Sequence, residues 1–280
     1  MKPIFFIDYD NTIFSHQTWQ IPESALCALE QLKKEGYKVV IASGRLFRSN
    51  ALPVEIQGRF VPDCLVSANG AVIEIEGELV KEKYFDQDLQ KRILDYVVEK
   101  NYCLMYGADE DWCTSSIERF MEVASPKQQQ MLPKSGDAFR ALYQKEIPSF
   151  FLADTKEAID DVQEHFPETK LLYMGDNLGG ADLIPKENGK VMGAARILEH
   201  YHADWKDIVA IGDSMNDIEL IQTAGYGIAM GNAMPEVQKA ADYVAKDIDE
   251  AGLADAIAMA KMKYSEEGRI FRKLTQYRVQ

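Results

Sequence analysis

Ile4-Phe5-Phe6-Ile7-Asp8-Tyr9-Asp10-Asn11-Thr12 decides how this chain is read. Four apolar residues in an unbroken run, without alternation, predict a short strand buried on both faces, as in a parallel sheet. The strand ends abruptly in two carboxylates. That places Asp8 and Asp10 at the carboxyl edge of the sheet, where open α/β folds bind ligands. Like charges one residue apart repel unless protons or a cation offset them. Hard oxygen donors point to a divalent metal, Mg²⁺. Taken alone, Asp-x-Asp is better explained by a strand-ending turn, since Asp and Asn favour turns. A second cluster shifts the balance. Asp213-Ser-Met-Asn216-Asp217 follows another apolar run, Ile208–Ile211, and Gly212 permits a tight exit.

Outward from these runs the chain alternates strands and helices. Pro22 and Gly36 bracket an amphipathic helix carrying Ala25, Leu26, Leu29 and Leu32. Lys38–Ala42 is a second buried strand, ending in Ser43-Gly44-Arg45. Cys64–Ser67 is a third, ending in Asn69-Gly70. Residues 71–80 read as a hairpin turning at Glu76-Gly77. Beyond residue 185 the rhythm resumes. Helices are predicted over 192–201, 216–224, 235–240 and 249–263, and strands over 208–211, 226–230 and 243–245. Such alternation predicts an α/β fold with a doubly wound, Rossmann-like parallel sheet.

Between about residues 84 and 183 the pattern changes. Helices are predicted over 88–100 and 154–166, the latter with Asp154 and Glu157 in capping-box spacing. Strands are predicted over 102–106 and 171–174, and Met121 to Asp137 reads as loop. None of these elements has an acidic strand end. The reading is a core of residues 1–82 and 184–280 interrupted by an inserted α+β unit, residues 83–183. Trp112, Tyr102 and Tyr106 in that unit read as core aromatics.

Composition narrows the function. A chain of 280 residues with 46% hydrophobic and 27% charged residues is ordinary for a soluble globular protein. The net charge of -14 disfavours nucleic acid and anionic membranes as partners. The four cysteines are scattered, with no Cys-x-x-Cys pair, so reduced thiols in the cytoplasm are expected. No charged lead and apolar segment mark a signal peptide, and no run approaches the ~20 apolar residues of a membrane span. Arg269, Arg272, Lys273 and Arg278 form a basic end, read as a solvated helix face.

Four motifs stand in order: Asp8-x-Asp10-x-Thr12, Ser43-Gly44-Arg45, Lys190, and Gly212-Asp213-x-x-Asn216-Asp217. Together they resemble the haloacid-dehalogenase-like hydrolases, specifically the Cof-type phosphatases. The resemblance covers residues 1–82 and 184–262, including Ala229-Met-Gly-Asn232, and the inserted unit matches that family's large cap in position and length. Asn11 stands where these proteins usually carry Gly, and Ser43 where they carry Thr. Lys190 is followed by Val191, with Gly193 three residues on, and Lys186 competes with it for the lysine role.

The resemblance implies a Mg²⁺-dependent phosphatase acting on a small phosphorylated metabolite, such as a sugar phosphate, as monomer or homodimer. Asp8 would attack phosphorus to give an aspartyl-phosphate. Asp10 would protonate the leaving oxygen and then activate water. Asp8 and Asp213 would bind the metal through side chains, Asp10 through its carbonyl, and Asp217 would lie one layer out, orienting Lys190 or a metal-bound water. Ser43, Asn216, Thr12 and backbone amides near Asn11 and Gly44 would hold phosphate, with Lys190 bridging it to Asp8.

Plainer readings stand beside these. Ser43 caps a following helix, Arg45 pairs with a surface acid or reaches substrate, and Asn69 and Asn232 hold loops. His200 and His202 are i, i+2 on a helix and so do not share a face. A phosphomutase or phosphotransferase with the same aspartyl-phosphate is the alternative function, and a non-catalytic phospho-ligand binder is a third. A dehalogenase has no need of Asp10 or metal.

Overall fold

The computed structural model describes residues 2–53, 56, 58–108, 111–124, 129, 132–174 and 180–265. Along the chain, β1 (Ile4–Ile7), α1 (Glu23–Lys34), β2 (Lys38–Ala42), β3 (Cys64–Ser67), β4 (Val72–Ile75) and β5 (Glu78–Glu82) come first. The inserted unit holds α2 (Gln87–Glu99), β6 (Leu104–Ala108), β7 (Asp111–Thr114), α3 (Ile117–Val123), α4 (Asp137–Arg140), β8 (Phe150–Leu152), α5 (Lys156–His165), β9 (Thr169–Met174) and β10 (Gly180–Pro185). The return leg holds α6 (Lys190–Tyr201), β11 (Ile208–Gly212), α7 (Ile218–Thr223), β12 (Tyr226–Ala229), α8 (Pro235–Ala240), β13 (Tyr243–Val244) and α9 (Gly252–Tyr264).

The core is an eight-stranded sheet in the order β13-β12-β11-β1-β2-β3-β4-β5. Pairing is parallel from β13 through β3, and β4 and β5 add an antiparallel hairpin at one edge. The hairpin turns where expected, with Glu76 and Gly77 both at positive φ. β1 lies in the middle because all four of its residues are apolar and buried on both faces. Its neighbours β2 and β11 connect in opposite directions along the sheet. The strand order therefore reverses at β1, which opens a crevice at its carboxyl end. The register Ile7↔Ile211, with Asp8 N–H donating to Ile211 O at 2.9 Å, brings the loops after β1 and β11 to the same rim.

Gly193 explains how α6 reaches that rim. A Cβ there would lie 2.3 Å from Val66 Cγ1 on β3. Only glycine lets the helix press so closely on the sheet, and the helix begins with Lys190.

The cap is a wholly antiparallel five-stranded sheet in the order β7-β6-β8-β10-β9. Helices α2 and α5 bury Leu89, Ile93, Val97, Ile159 and Val162 against one face. On the opposite face, Phe120 of α3 packs with Met105 and Ala153, and Asp182 of β10 meets Asn69 of the core. Several cap elements differ from the sequence reading. The strand predicted over 102–106 is displaced to Leu104–Ala108, and β7, α3, α4, β8 and β10 were not anticipated. β10 is buried throughout, but its Gly and Pro ends disguise it as loop, and it carries the cap sheet on to Pro185, paired with Thr169. Asp154 does not cap α5. Thr155 does, accepting from Ala158 N–H, while Asp154 is buried against Arg119 at 2.5 Å and accepts from Cys103 N–H at 2.7 Å. No helix follows Ser43; its hydroxyl accepts from Arg45 N–H in a local turn. Tyr102 and Tyr106 pack on the main cap core and Trp112 on the smaller one. The basic residues beyond 268 lie outside the described residues.

Candidate active site

Three carboxylates converge at the rim. Asp8, Asp213 and Asp217 each offer an oxygen within 4.8 Å of the others, and all three are buried. Lys190 enters from the first turn of α6. Its ammonium donates to Asp8 Oδ1 at 2.5 Å and to Asp217 Oδ1 at 2.6 Å. Lys186 is exposed, and its backbone N–H pairs with Glu168 O instead, so the geometry separates the two lysines.

The charges do not balance. Burial raises the Asp8 carboxyl to about 7; Lys190 pulls it down, and Asp217 and Asp10 push it up. Burial, followed by repulsion from Asp8 and Asp217, raises Asp213 well above the usual carboxylate range. Burial disfavours the Lys190 ammonium too, but Asp217 and Asp8 outweigh it and hold this lysine above its ordinary value. One cation therefore faces several anions in a dry site. Buried, mutually repelling oxygens are what a divalent cation relieves, so the donor set fits such an ion. Asp217 is the least available of the three. Its second oxygen already accepts from Asp213 N–H and Ser214 N–H. That arrangement needs Gly212, where a Cβ would fall 2.3 Å from Asp217 Cγ.

The remaining motif residues are placed as follows. The Thr12 hydroxyl donates to Asp213 Oδ1 at 3.1 Å, tying the two acidic loops together instead of standing open to a ligand. Asn11 sits at φ 53, a left-handed conformation that Gly or Asn tolerates, which accounts for Asn where glycine is usual. Its N–H is already paired with Phe14 O, and its carbonyl accepts from Asn232 Nδ2 at 2.8 Å. Ser43 is fully buried between the rim loops. Gly44 has Asp182 and Asn69 against it, at 3.1 and 3.3 Å from where a Cβ would stand. Asn216 donates to Asn69 Oδ1 at 3.0 Å. His200 is exposed at the end of α6, and His202 closes that helix in a left-handed conformation.

Asp10 is more exposed than Asp8 and is fully engaged. Arg45 grips both of its oxygens through Nε and Nη2, so Arg45 pairs with an acid of the site itself, not one of the outer surface. His16 Nε2 lies 2.6 Å from Asp10 Oδ1. Burial pushes the Asp10 carboxyl up, but His16 and Arg45 together bring it below the ordinary value. His16 was missed by sequence reading, and no spacing marks it; the turn Asp10–Phe14 folds it back. Asp182 was also missed. It projects from β10 toward the rim, and burial raises it to about 7 against the pull of Asn69 and Lys190.

A cavity of about 270 Å³ opens between cap and core, lined by Lys170 and Leu172 on β9 and by Lys190, Met215, Asn216 and Glu219 below. It is slightly below the usual range of about 300–1,000 Å³ for ligand sites, suiting a compact ligand.

The profile of the haloacid dehalogenase-like hydrolases matches residues 5–257. YkrA of Bacillus subtilis (strain 168), which carries a phosphatase name, is 30% identical over 258 residues, covering 91% of this chain and 96% of its own. YwtE of the same organism, named a 5-amino-6-(5-phospho-D-ribitylamino)uracil phosphatase, is 27% identical, with 89% of this chain and 94% of its own covered. Among solved structures, the subclass IIB sugar phosphatase BT4131 superposes with a TM-score of 0.77 at 26% identity, covering 92% of this chain and 98% of that one. The chain therefore belongs to the haloacid dehalogenase-like hydrolases, among the capped phosphatases of the Cof type.

Proposed function

We propose that this protein is a Mg²⁺-dependent phosphatase that hydrolyses a small phosphorylated metabolite through a phosphoryl group carried on Asp8. The observation that carries the reading is the Lys190 ammonium bridging Asp8 and Asp217 inside a group of carboxylates that it cannot neutralise alone. The names of YwtE and BT4131 support a phosphorylated, polyol-like substrate, and the small cavity agrees in size.

Asp8 and Asp213, with the Asp10 carbonyl, would hold the cation, and the all-oxygen donor set favours Mg²⁺. Bound there, it supplies positive charge that offsets repulsion between a carboxylate and a phosphate. Asp8 attacks phosphorus; the Asp8 O–P bond forms as the P–O bond to the leaving group breaks. Asp10 gives its proton to the departing oxygen and then takes one from the water that attacks the phosphoryl group, freeing phosphate and regenerating Asp8. Lys190 keeps Asp8 aimed and, before the attack, favours its ionised form against burial. In the structure Asp10 is held as a carboxylate by Arg45 and His16. A phosphate that draws Arg45 onto itself would loosen that grip and let Asp10 carry its proton. The free thiols of Cys27, Cys64, Cys103 and Cys113 support a cytoplasmic setting, and among the described residues no helix is long and apolar enough to cross a membrane.

A panel of phosphorylated metabolites with Mg²⁺, run beside Asp8→Asn, tests this. Free phosphate is expected from the native chain, with turnover at least about 10³-fold lower in the variant. An isomerised phosphate ester instead of free phosphate would make the protein a mutase. Near-native release by the variant would remove Asp8 from the nucleophile role.

A further inference from the structure

The loop joining β3 to β4 has three consecutive residues at positive φ: Ala68 at 48°, Asn69 at 51° and Gly70 at 86°. Two of them carry a Cβ, so the conformation is costly and persists only where its surroundings enforce it. The surroundings are the catalytic loops. Ala68 N–H donates to Arg45 O and Asn69 N–H to Ser43 O. A Cβ on Gly70 would meet Gly189 O at 2.2 Å, directly before Lys190.

What this loop presents is the Asn69 side chain, fully buried and bonded at both ends. Its Nδ2 donates to Asp182 Oδ2 of the cap at 2.8 Å, and its Oδ1 accepts from Asn216 Nδ2 at 3.0 Å. Asn216 Oδ1 then accepts from the Ser214 hydroxyl at 2.7 Å. The line has one direction. The ionised Asp182 carboxylate can only accept, which turns the amide nitrogen of Asn69 toward the cap. The Asn69 oxygen must then face Asn216, whose amide nitrogen turns to meet it. One Asn216 amide proton has no further acceptor among the described residues, and Asn216 lines the cavity beside Lys190.

We propose that Asp182 and Asn69 are positioning residues that set the Asn216 amide toward the phosphate only when the cap is seated. Cap closure and grip on phosphate then share one hydrogen-bonded line, and lifting β10 away frees the Asn69 amide to turn over. The role of Asn216 as a phosphate contact rests on the function proposed above; the line itself does not.

Side-chain amide NMR of the ligand-free protein tests the line. The Asn216 signals, identified by their loss in Asn216→Ala, are expected to shift in Asp182→Ala, two side chains away, and to return in Asp182→Asn, whose amide oxygen still accepts. Asn69→Ala reads the same line from its middle. Unmoved Asn216 signals beside shifted Asn69 signals would overturn the proposal. Calorimetry with inorganic phosphate and Mg²⁺ tests the consequence: Asp182→Ala should weaken binding roughly tenfold, and Asp182→Ala/Asn216→Ala should bind no more weakly than Asn216→Ala alone. Additive losses would also overturn it. Failure of the native protein to bind phosphate would count against the phosphatase reading, while the spectra still judged the line.

Discussion

The rim of the core sheet and the interior of the cap both bury charge, but they neutralise it differently. In the cap, Asp154 is matched by the two-pronged guanidinium of Arg119 and by backbone N–H groups of Cys103 and Thr155. Its negative charge is fully answered, and the result is a fixed joint between α3 and the strand ends. At the rim, Asp8, Asp213 and Asp217 share the single ammonium of Lys190, and burial first, then repulsion from neighbouring carboxylates, pushes Asp8 and Asp213 upward. Charge that is balanced holds a structure together. Charge left in excess waits for a ligand.

The sharpest test of that contrast is Lys190→Met. Removing this ammonium is expected to lower turnover by at least about 10²-fold, while Mg²⁺ still raises the melting temperature because Asp8 and Asp213 persist. Turnover within a few-fold of native would make the lysine structural. Arg119→Ala is the counterpart in the cap. It strips a buried carboxylate of its partner and should cost roughly 3 kcal/mol in urea denaturation, with turnover of the folded enzyme reduced far less than by Lys190→Met. A stability change under about 0.5 kcal/mol would mean that the backbone N–H groups suffice for Asp154.

Smaller effects follow from protons. Burial and then mutual repulsion hold Asp213 high, and burial opposed by Lys190 holds Asp8 near 7. Between the ordinary carboxylate value and about 7, the folded chain keeps protons that the unfolded chain has released. By linkage, the metal-free protein should therefore lose stability as pH rises from about 4 to about 7, with Mg²⁺ restoring more of it at the upper end. A flat, Mg²⁺-independent profile would separate these carboxylates from metal binding. Smallest is His16→Ala. Losing the imidazole releases part of what holds Asp10 low, and Asp10 must carry a proton to give to the leaving oxygen, so the basic limb of kcat/KM should move upward. An unmoved limb would show that Arg45 alone sets Asp10.

The same contrast explains what could be read in advance. Asp8 directly follows an apolar run and Asp213 follows another across Gly212, with Asp10 and Asp217 in the loops just beyond, so strand period and strand end are local facts and the rim was legible. Gly212 and the turn at Glu76-Gly77 were legible as breaks, whereas the reason for Gly193, its contact with Val66, is distant in sequence. The cap resisted. Its β10, closed by Gly180 and Pro185, is a strand only because β8 and β9 flank it, and the supposed capping box at Asp154 lost its first residue to Arg119. Propensity ranks what a segment prefers in isolation, and a central antiparallel strand is chosen by its partners.

Residue order alone determined that two acidic strand ends, a lysine at a helix start and an intervening segment exist, because each is written in neighbouring positions. Only folding decided that Lys190 and not Lys186 meets Asp8, that Thr12 ties one acidic loop to the other, and that His16 and Asp182 belong at the site. Those choices rest on sheet register and helix approach, where a shift of one residue carries a side chain to the opposite face, and such distances are set by the whole chain at once.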